Sequence, residues 1–185
     1  AQFDNKITAQ FSIGGSGLTG PTEIVDYYEG GFSIDGGLQY NFNRNFGLVA
    51  MAKYVTFFQS SLYGQDVTSY IDNFGVSICP KYKFRAGKKL QPYVLGGANF
   101  SFVSVFISDK SDPADPYTYY EEIPIALGYT AALGVEYGLS NNVSLFTQMG
   151  TNGIFIDDGA ASYVNLSSIF FQFGLNLNLF KSKSL

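Results

Sequence analysis

The stretch that decides the fold runs from Ile169 to Phe180 and reads IFFQFGLNLNLF. Every second residue from Ile169 onward is apolar, and most of the residues between them are polar or small. A side-chain period of two predicts a β-strand whose two faces meet different surroundings. Soluble strands usually have about 5–6 residues, whereas a tilted strand that crosses a bilayer needs roughly 9–11. The stretch is therefore typical of a membrane-spanning strand.

The composition of the chain points in the same direction. Apolar residues make up 46% of the 185 residues and charged residues only 14%, whereas a soluble domain carries about 25% charged residues. The sequence contains no run of about 20 apolar residues of the kind that forms a transmembrane helix. Two classes remain, a membrane β-barrel and an unusually neutral soluble β protein.

Several classes of function are excluded or disfavoured by the residue types present. The single cysteine, Cys79, permits no internal disulfide, and the chain has no histidine for catalysis or for most transition-metal sites. A net charge of -4 argues against nucleic acid as a partner. We therefore expect no catalytic, cofactor-binding or metal-binding residues, no cofactor and no small-molecule substrate.

The same alternation recurs along the chain and predicts eight strands. Their approximate ranges are 6–15, 31–40, 46–57, 72–84, 90–104, 125–137, 143–152 and 166–180. Three short turns and four longer loops alternate between them, which favours antiparallel hairpins. The predicted fold is all-β, a single domain over 1–185 that forms an eight-stranded antiparallel up-and-down transmembrane β-barrel. The last strand must pair with the first to leave no open edge.

Three features predict that the apolar face points outward into lipid, with periplasmic short turns and extracellular loops. The polar faces of strands one, six and eight carry small uncharged residues, which suit a narrow lumen. Aromatic residues mark the short-turn ends, and basic residues gather at that end while acidic residues gather in the loops. The aromatic residues concerned are Tyr40, Phe42, Phe46, Tyr82, Phe84, Tyr137 and Phe180. The alternative is a soluble lipocalin-like barrel that binds a ligand, in which the apolar face points inward.

A resemblance to a known family rests on four segments and the closing strand. The segments are KITAQFSIGG, GFSIDGGLQYNF, QPYVLGGANF and YTAALGVEYGLSNNVSLF, and the closing strand ends at Phe180. The chain resembles the small eight-stranded outer-membrane barrels of the OmpX- and OmpA-like family, in particular the porin-like "outer membrane protein beta-barrel" proteins of Bacteroidota. The resemblance implies an integral protein of the bacterial outer membrane whose signal peptide has been removed. KSKSL after Phe180 departs from the terminal aromatic residue that many proteobacterial barrels carry.

Four charged residues are predicted to face the lumen: Asp35, Lys53, Lys81 and Glu136. Folding the second hairpin places Asp35 opposite Lys53. Glu136 and Lys81 lie at similar heights above their short turns, so they could pair across the lumen. Buried charges are expected to pair, because an unpaired one costs several kcal/mol. These residues could form either a closed plug or an ion path. Lys53→Ala is expected to cost roughly 3–5 kcal/mol if its pair is buried.

Two surfaces are candidates for contact with lipid or with a partner protein. The first is the apolar face of the closing strand, Ile169, Phe171, Phe173 and Leu175. The second is a tyrosine-rich loop that contains Tyr117, Tyr119 and Tyr120, since tyrosine is favoured at interfaces. Acidic loop residues such as Asp109, Asp112, Asp157 and Asp158 could bind Ca²⁺, although their spacing matches no known ligand set.

The sequence therefore predicts a non-enzymatic integral outer-membrane barrel with a plugged lumen. Its preferred role is that of an accessory or structural subunit of a larger outer-membrane assembly for secretion, assembly or uptake. A stand-alone barrel for envelope integrity or adhesion is the alternative. By resemblance, eight-stranded barrels that modify lipid A are the precedent for an enzyme, but a Ser-His arrangement cannot be built without histidine. The expected partners are outer-membrane lipid or lipopolysaccharide and other outer-membrane proteins.

Overall fold

The structure is a computed structural model that describes residues 5–21, 25, 28–59, 67–109, 117–157 and 163–181. Eight strands follow one another along the chain: β1 (Asn5–Gly20), β2 (Tyr28–Asn41), β3 (Phe46–Gln59), β4 (Val67–Lys83), β5 (Leu90–Asp109), β6 (Tyr117–Gly138), β7 (Val143–Asp157) and β8 (Tyr163–Lys181). They form a closed barrel in which every strand pairs antiparallel with its neighbours in the sequence. The predicted all-β, eight-stranded up-and-down fold is confirmed.

The barrel closes where β1 meets β8. Ile13 lies opposite Phe173 and Gly15 lies opposite Phe171, and the pairing continues along most of both strands. Closure pairs the backbone groups that would otherwise form two open edges, which is a requirement for a sheet that spans a bilayer. The closing role predicted for the last strand is confirmed.

Most strands extend beyond the predicted bounds, mainly at the end opposite the short turns. β5 reaches Asp109 and β6 begins at Tyr117, so much of the predicted loop 105–122 is strand. In β6, residues 117–122 are exposed on both faces, so the alternation is lost there although the ladder of backbone pairs continues. The predicted contrast between short turns and longer loops remains a prediction, because most residues between the strands at this end lie outside the described residues.

The wall of the barrel is apolar on its outer side. On β8, Ile169, Phe171 and Phe173 are more than half exposed, whereas Gln172 between them has 0% exposure. The same alternation holds on β3, β4 and β7, where large apolar side chains point away from the lumen. A soluble lipocalin-like barrel would bury this face, so that alternative is not favoured.

Glycines at a few inward-facing positions allow neighbouring strands to approach closely. A Cβ atom added at Gly97 would overlap the carbonyl oxygen of Ile78 and would lie 2.8 Å from the Cα atom of Cys79. Neighbouring backbone therefore approaches too closely here for any side chain. At Gly17 on the outer side of the wall, an added Cβ would meet no atom within 4 Å.

Candidate functional site

The lumen contains a buried charge cluster near the short-turn end. Lys81 on β4 forms an ion pair with Glu136 on β6, and Lys83 Nζ lies 2.6 Å from the second carboxylate oxygen of Glu136. Lys81 and Glu136 are only 1% and 3% exposed. The structure therefore brings together two of the four charged residues that the alternation places in the lumen, and it adds Lys83.

Strand pairing explains why these side chains meet. β5 lies between β4 and β6, and its Tyr93 lies beside the ion pair that spans it. Lys81 Nζ lies 3.9 Å from the centre of the Tyr93 ring, and it also donates a hydrogen bond to Gln39 Oε1 at 3.2 Å. Asn176 Nδ2 donates to Glu136 Oε1 at 3.0 Å. The ammonium and the carboxylate thus have further partners beyond each other, which a buried ion pair requires.

Asp35 and Lys53 lie opposite each other in the register of β2 and β3, as predicted. The prediction that they form an ion pair with each other is wrong. The ion pairs found among the described residues all involve Glu136. Lys53 Nζ is buried without a hydrogen-bond partner and lies 3.9 Å from the centre of the Phe170 ring. Asp35 Oδ2 instead accepts hydrogen bonds from Gln172 Nε2 at 2.6 Å and from Ser12 Oγ at 3.4 Å.

A chain of uncharged side chains extends from the charge cluster to Asp35. Tyr93 OH donates to Gln148 Oε1 at 2.9 Å, and Gln148 Nε2 donates to Gln172 Oε1 at 2.8 Å. Gln172 Nε2 then donates to Asp35 Oδ2. Of these residues, Gln172 was predicted to face the lumen from its position in β8. The membership of Tyr93 and Gln148 in a hydrogen-bond network was not predicted, although alternation places both side chains on the lumen face of their strands.

Toward the loop end, the lumen is filled by apolar side chains, and we call this set the apolar layer. Its members are buried residues from seven strands: Leu18, Val55, Phe57, Ile71, Val103, Ala126, Ile154 and Leu166, together with Tyr28 from β2. Phe57 and Val103 are each only 2% exposed. Alternation alone does not reveal this layer, because β3 is apolar on both faces at this height.

The first candidate partner surface faces away from the lumen, whereas the tyrosines of the second lie on both faces of β6. Ile169, Phe171 and Phe173 are exposed on the wall, and Leu175 is partly exposed. The three tyrosines lie in β6 rather than in a loop, with exposures of 56% for Tyr117, 37% for Tyr119 and 59% for Tyr120. Whether either surface binds a partner remains a prediction.

The structure describes only some of the candidate metal ligands. No group of three or more His, Cys, Asp or Glu side chains among the described residues could hold a metal ion. Asp112 and Asp158 of the considered calcium loops, and the side chains of Asp109 and Asp157, lie outside what is described. Cys79 is buried, and its partners within a cluster of the lumen include Tyr93 and Phe146.

No helix within the described ranges is long and apolar enough to cross a membrane. No protein-family model matches the chain, and no curated protein matches it. Similar proteins are therefore found only by comparison with solved structures, and the similarity concerns the fold.

The solved structures that are similar to this chain include several outer-membrane barrels. Neisserial surface protein A has a TM-score of 0.64 at 16% identity and covers 96% of this chain and 100% of its own. The attachment invasion locus protein Ail of Yersinia pestis has a TM-score of 0.56 at 12% identity, with 95% and 100% coverage. The outer membrane protease OmpT of Escherichia coli has a TM-score of 0.54 at 11% identity, with 95% and 94% coverage.

These identities are low, so the likeness concerns the fold. It confirms the predicted resemblance to small eight-stranded outer-membrane barrels and agrees with the predicted location in the outer membrane. The expected Bacteroidota origin has no support in the comparisons and remains a prediction. With a closed barrel, an apolar outer wall and these structural relatives, the chain has the fold of the integral β-barrels of the bacterial outer membrane.

Proposed function

We propose that this protein is a non-enzymatic outer-membrane barrel with a closed lumen and that it serves as an accessory or structural subunit of a larger outer-membrane assembly. The proposal of a closed lumen rests on one observation: two different sets of side chains fill the lumen, one above the other, and we call them its two fillings. The charge cluster occupies the short-turn end, and the apolar layer occupies the loop end.

The two fillings oppose ion passage for different physical reasons. In the charge cluster, Lys81, Lys83 and Glu136 are held by one another, so a passing ion would have to displace a buried partner. In the apolar layer, side chains such as Phe57 and Leu166 exclude the water that an ion needs around it. An eight-stranded barrel also has an interior just wide enough for its own side chains.

Recordings from planar bilayers test the closed lumen. Purified protein inserted into the bilayer in concentrated potassium chloride is expected to give no steady conductance steps above the detergent blank. A combined variant, Phe57→Ala with Glu136→Gln, weakens both fillings and is expected to raise the leak, whereas Phe171→Ala on the outer wall is the matched control. Discrete steps from the unmodified protein would overturn the proposal of a closed lumen.

The subunit role is supported by the surfaces that the barrel exposes. The hairpin of β5 and β6 carries Tyr117, Tyr119 and Tyr120, and all three side chains are exposed. Exposed tyrosines of this kind are enriched in protein interfaces. Outer-membrane lipid or lipopolysaccharide is the proposed partner of the remaining wall.

Native mass spectrometry after mild-detergent purification tests the subunit role. A complex of defined stoichiometry is expected, and it should be lost when Tyr117, Tyr119 and Tyr120 are all changed to Ser. Tyr40, Tyr82 and Tyr137 at the short-turn end, changed together to Ser, form the matched control. A monodisperse single chain would instead support the stand-alone role in envelope integrity or adhesion, for which the same exposed hairpin is the available contact surface.

The non-enzymatic assignment rests on the residues rather than on the relatives. OmpT, one of the structures with this fold, is named a protease. This chain has no histidine, and its buried carboxylates are engaged: Glu136 by two lysines and Asp35 by Gln172. We therefore assign it no substrate.

A further inference from the structure

The short turn between β4 and β5 carries three exposed basic side chains, Arg85, Lys88 and Lys89, and we call it the basic turn. Within the described residues none of the three forms an ion pair, because the ion pairs found there all involve Glu136. The described part of the chain therefore leaves three positive charges unpaired at one place on the surface.

The described carboxylates lie away from the basic turn. Asp35 and Glu136 are enclosed in the lumen, and Glu136 is already shared by two lysines. Asp72, Glu121 and Glu122 lie toward the opposite ends of their strands. Among the described residues, the outer surface at the basic turn thus has an excess of positive charge.

The conformation of the basic turn does not account for the arginine at its start. Arg85 has a φ of 53° and Gly87 a φ of 83°, so both lie in the left-handed region. Glycine and asparagine adopt this conformation more readily than arginine does. The turn itself therefore does not require the charge that Arg85 supplies.

Backbone hydrogen bonds attach the basic turn to the strands on both sides of it. Lys83 N donates to Asn45 O at 2.7 Å, and Gly138 N donates to Lys89 O at 2.9 Å. The first bond joins the turn to the hairpin of β2 and β3, and the second joins it to the end of β6. The basic side chains consequently extend from a fixed height on the barrel.

Exposed apolar and aromatic side chains of the outer wall lie directly beside the basic turn. Tyr82, Phe84, Leu90 and Tyr137 are between 39% and 52% exposed. The rings of Tyr82 and Phe84 meet edge to face at 5.1 Å, and Lys89 Nζ lies 5.1 Å from the centre of the Tyr137 ring. Aromatic residues at such a position mark the boundary between the apolar band and the headgroups. The basic turn therefore lies at the level of the lipid phosphates.

Positive charge next to a lipid-facing apolar surface is complementary to an amphiphile with an anionic headgroup. Clusters of Lys and Arg close to a membrane surface attract anionic lipids, and arginine can bind a phosphate through two parallel hydrogen bonds. The short turns of outer-membrane barrels face the periplasm, and the periplasmic leaflet of the outer membrane consists of phospholipid. A soluble anion would match the charges but would leave the adjacent apolar side chains unused.

We propose that the basic turn binds the headgroup of an anionic phospholipid in the periplasmic leaflet. Arg85, Lys88 and Lys89 bind the phosphate, and the acyl chains lie along Phe84 and Leu90 of the outer wall. This inference assigns a headgroup to the lipid contact of the proposed function. It does not depend on the closed lumen or on the subunit role, so its failure would leave both of them standing.

Native mass spectrometry of the purified barrel with two competing lipids tests this proposal. Phosphatidylglycerol and phosphatidylcholine with identical acyl chains both carry a phosphate, but only the first has a net negative charge. The unmodified protein is expected to retain phosphatidylglycerol at least about fivefold more than phosphatidylcholine, because one basic side chain near an anionic membrane surface contributes roughly that factor. Equal retention of the two lipids would overturn the proposal.

The variant that combines Arg85→Gln, Lys88→Gln and Lys89→Gln is expected to lose most of this preference. The matched control combines Arg85→Lys, Lys88→Arg and Lys89→Arg, which changes the same positions but retains their charges, and it is expected to keep the preference. Folding of both variants is checked by the shift in electrophoretic mobility on heating. An unchanged preference in the glutamine variant, or a loss of the preference in the control, would contradict a site defined by these charges.

Glycerol phosphate distinguishes a lipid site from a site for any soluble phosphate. It carries an anionic headgroup without acyl chains, so at the same concentration it is expected to leave the retained phosphatidylglycerol in place. Displacement of the lipid by glycerol phosphate would overturn the proposal in favour of a soluble anion.

Discussion

Glu136 is the residue on which the buried charges of the lumen depend. It is the common partner of Lys81 and Lys83, while Lys81 has a further hydrogen bond to Gln39 and a contact with the Tyr93 ring. Removal of one carboxylate would leave two ammonium groups without a counter-charge in a confined space. Removing one partner of a buried ion pair costs far more than a surface pair contributes.

Glu136→Gln is therefore expected to lower the free energy of unfolding by roughly 3–5 kcal/mol. The measurement is urea unfolding of the barrel in lipid vesicles, followed by tyrosine fluorescence. Glu121→Gln removes an exposed carboxylate and is expected to change the free energy by less than about 0.5 kcal/mol. Equal stability of the two variants would contradict the buried geometry of Glu136.

Lys53 differs from the lysines of the charge cluster, although it is also in the lumen. Its ammonium contacts the Phe170 ring and has no hydrogen-bond partner, so its removal breaks no ion pair of the described residues. Lys53→Met keeps the length of the side chain and its packing on Phe170. We expect a change of less than about 1.5 kcal/mol in the same unfolding measurement. This replaces the larger loss expected from a buried pair with Asp35, and a loss as large as that of Glu136→Gln would contradict it.

At the scale of the strands, two departures from simple alternation shape the molecule. The first is the bulge in β6, which turns Glu122 to the outer face. Strict alternation would place Glu122 on the same inner face as Glu136, because an even number of residues separates them. The second is the set of inward-facing glycines, where neighbouring strands come so close that no Cβ atom fits. Gly97 is the clearest example, because the atoms it would meet belong to the backbone of β4 and cannot rotate away.

Gly97→Ala is therefore expected to destabilise the barrel by about 1–3 kcal/mol, because backbone must shift to admit the methyl group. Gly17→Ala adds the same methyl group where no atom lies within 4 Å, and it is expected to have little effect. Both are measured by urea unfolding in vesicles. If the two variants unfolded alike, the backbone of β4 could not approach Gly97 as closely as the structure shows.

At the scale of the whole molecule, the protein inverts the usual arrangement of a soluble domain along much of its height. Its wall exposes large apolar side chains such as Leu133 and Phe171, each 59% exposed, while polar residues such as Gln172 and Asn176 are enclosed. The hydrogen-bond ladder runs around the whole closed sheet, so no strand is left with an unpaired edge. Such a sheet is stable in lipid and resists opening by detergent.

The folded barrel is accordingly expected to remain in the membrane fraction after carbonate extraction. It is also expected to migrate differently in SDS gels before and after boiling, because the closed sheet survives SDS at room temperature. Gly97→Ala should show this mobility shift at a lower temperature than Gly17→Ala. Release of the unmodified protein by carbonate, with no mobility shift on boiling, would contradict membrane insertion.

Much of the fold could be predicted from the sequence because alternation records two different environments along each strand. Residues 169–180 alternate between lipid and lumen, and the same pattern located eight strands and the inward orientation of Asp35, Lys53, Lys81 and Glu136. The strand ends were underestimated where both faces of a strand are exposed, as in residues 117–122 of β6. There the period of two disappears although the backbone pairing does not.

The contacts within the candidate site could be identified only from the tertiary structure. Position in a strand indicates the face on which Lys53 lies, but only the packed lumen shows that Gln172 contacts Asp35 and that Lys53 packs on Phe170. The apolar layer, the partnership of Lys83 with Glu136 and the outward orientation of Glu122 have the same origin. The sequence by itself determined which side chains face lipid and which face the lumen, because that choice is local to each strand. Which of them touch was decided by the curvature, bulges and register of the closed sheet, because these bring together residues far apart in the chain.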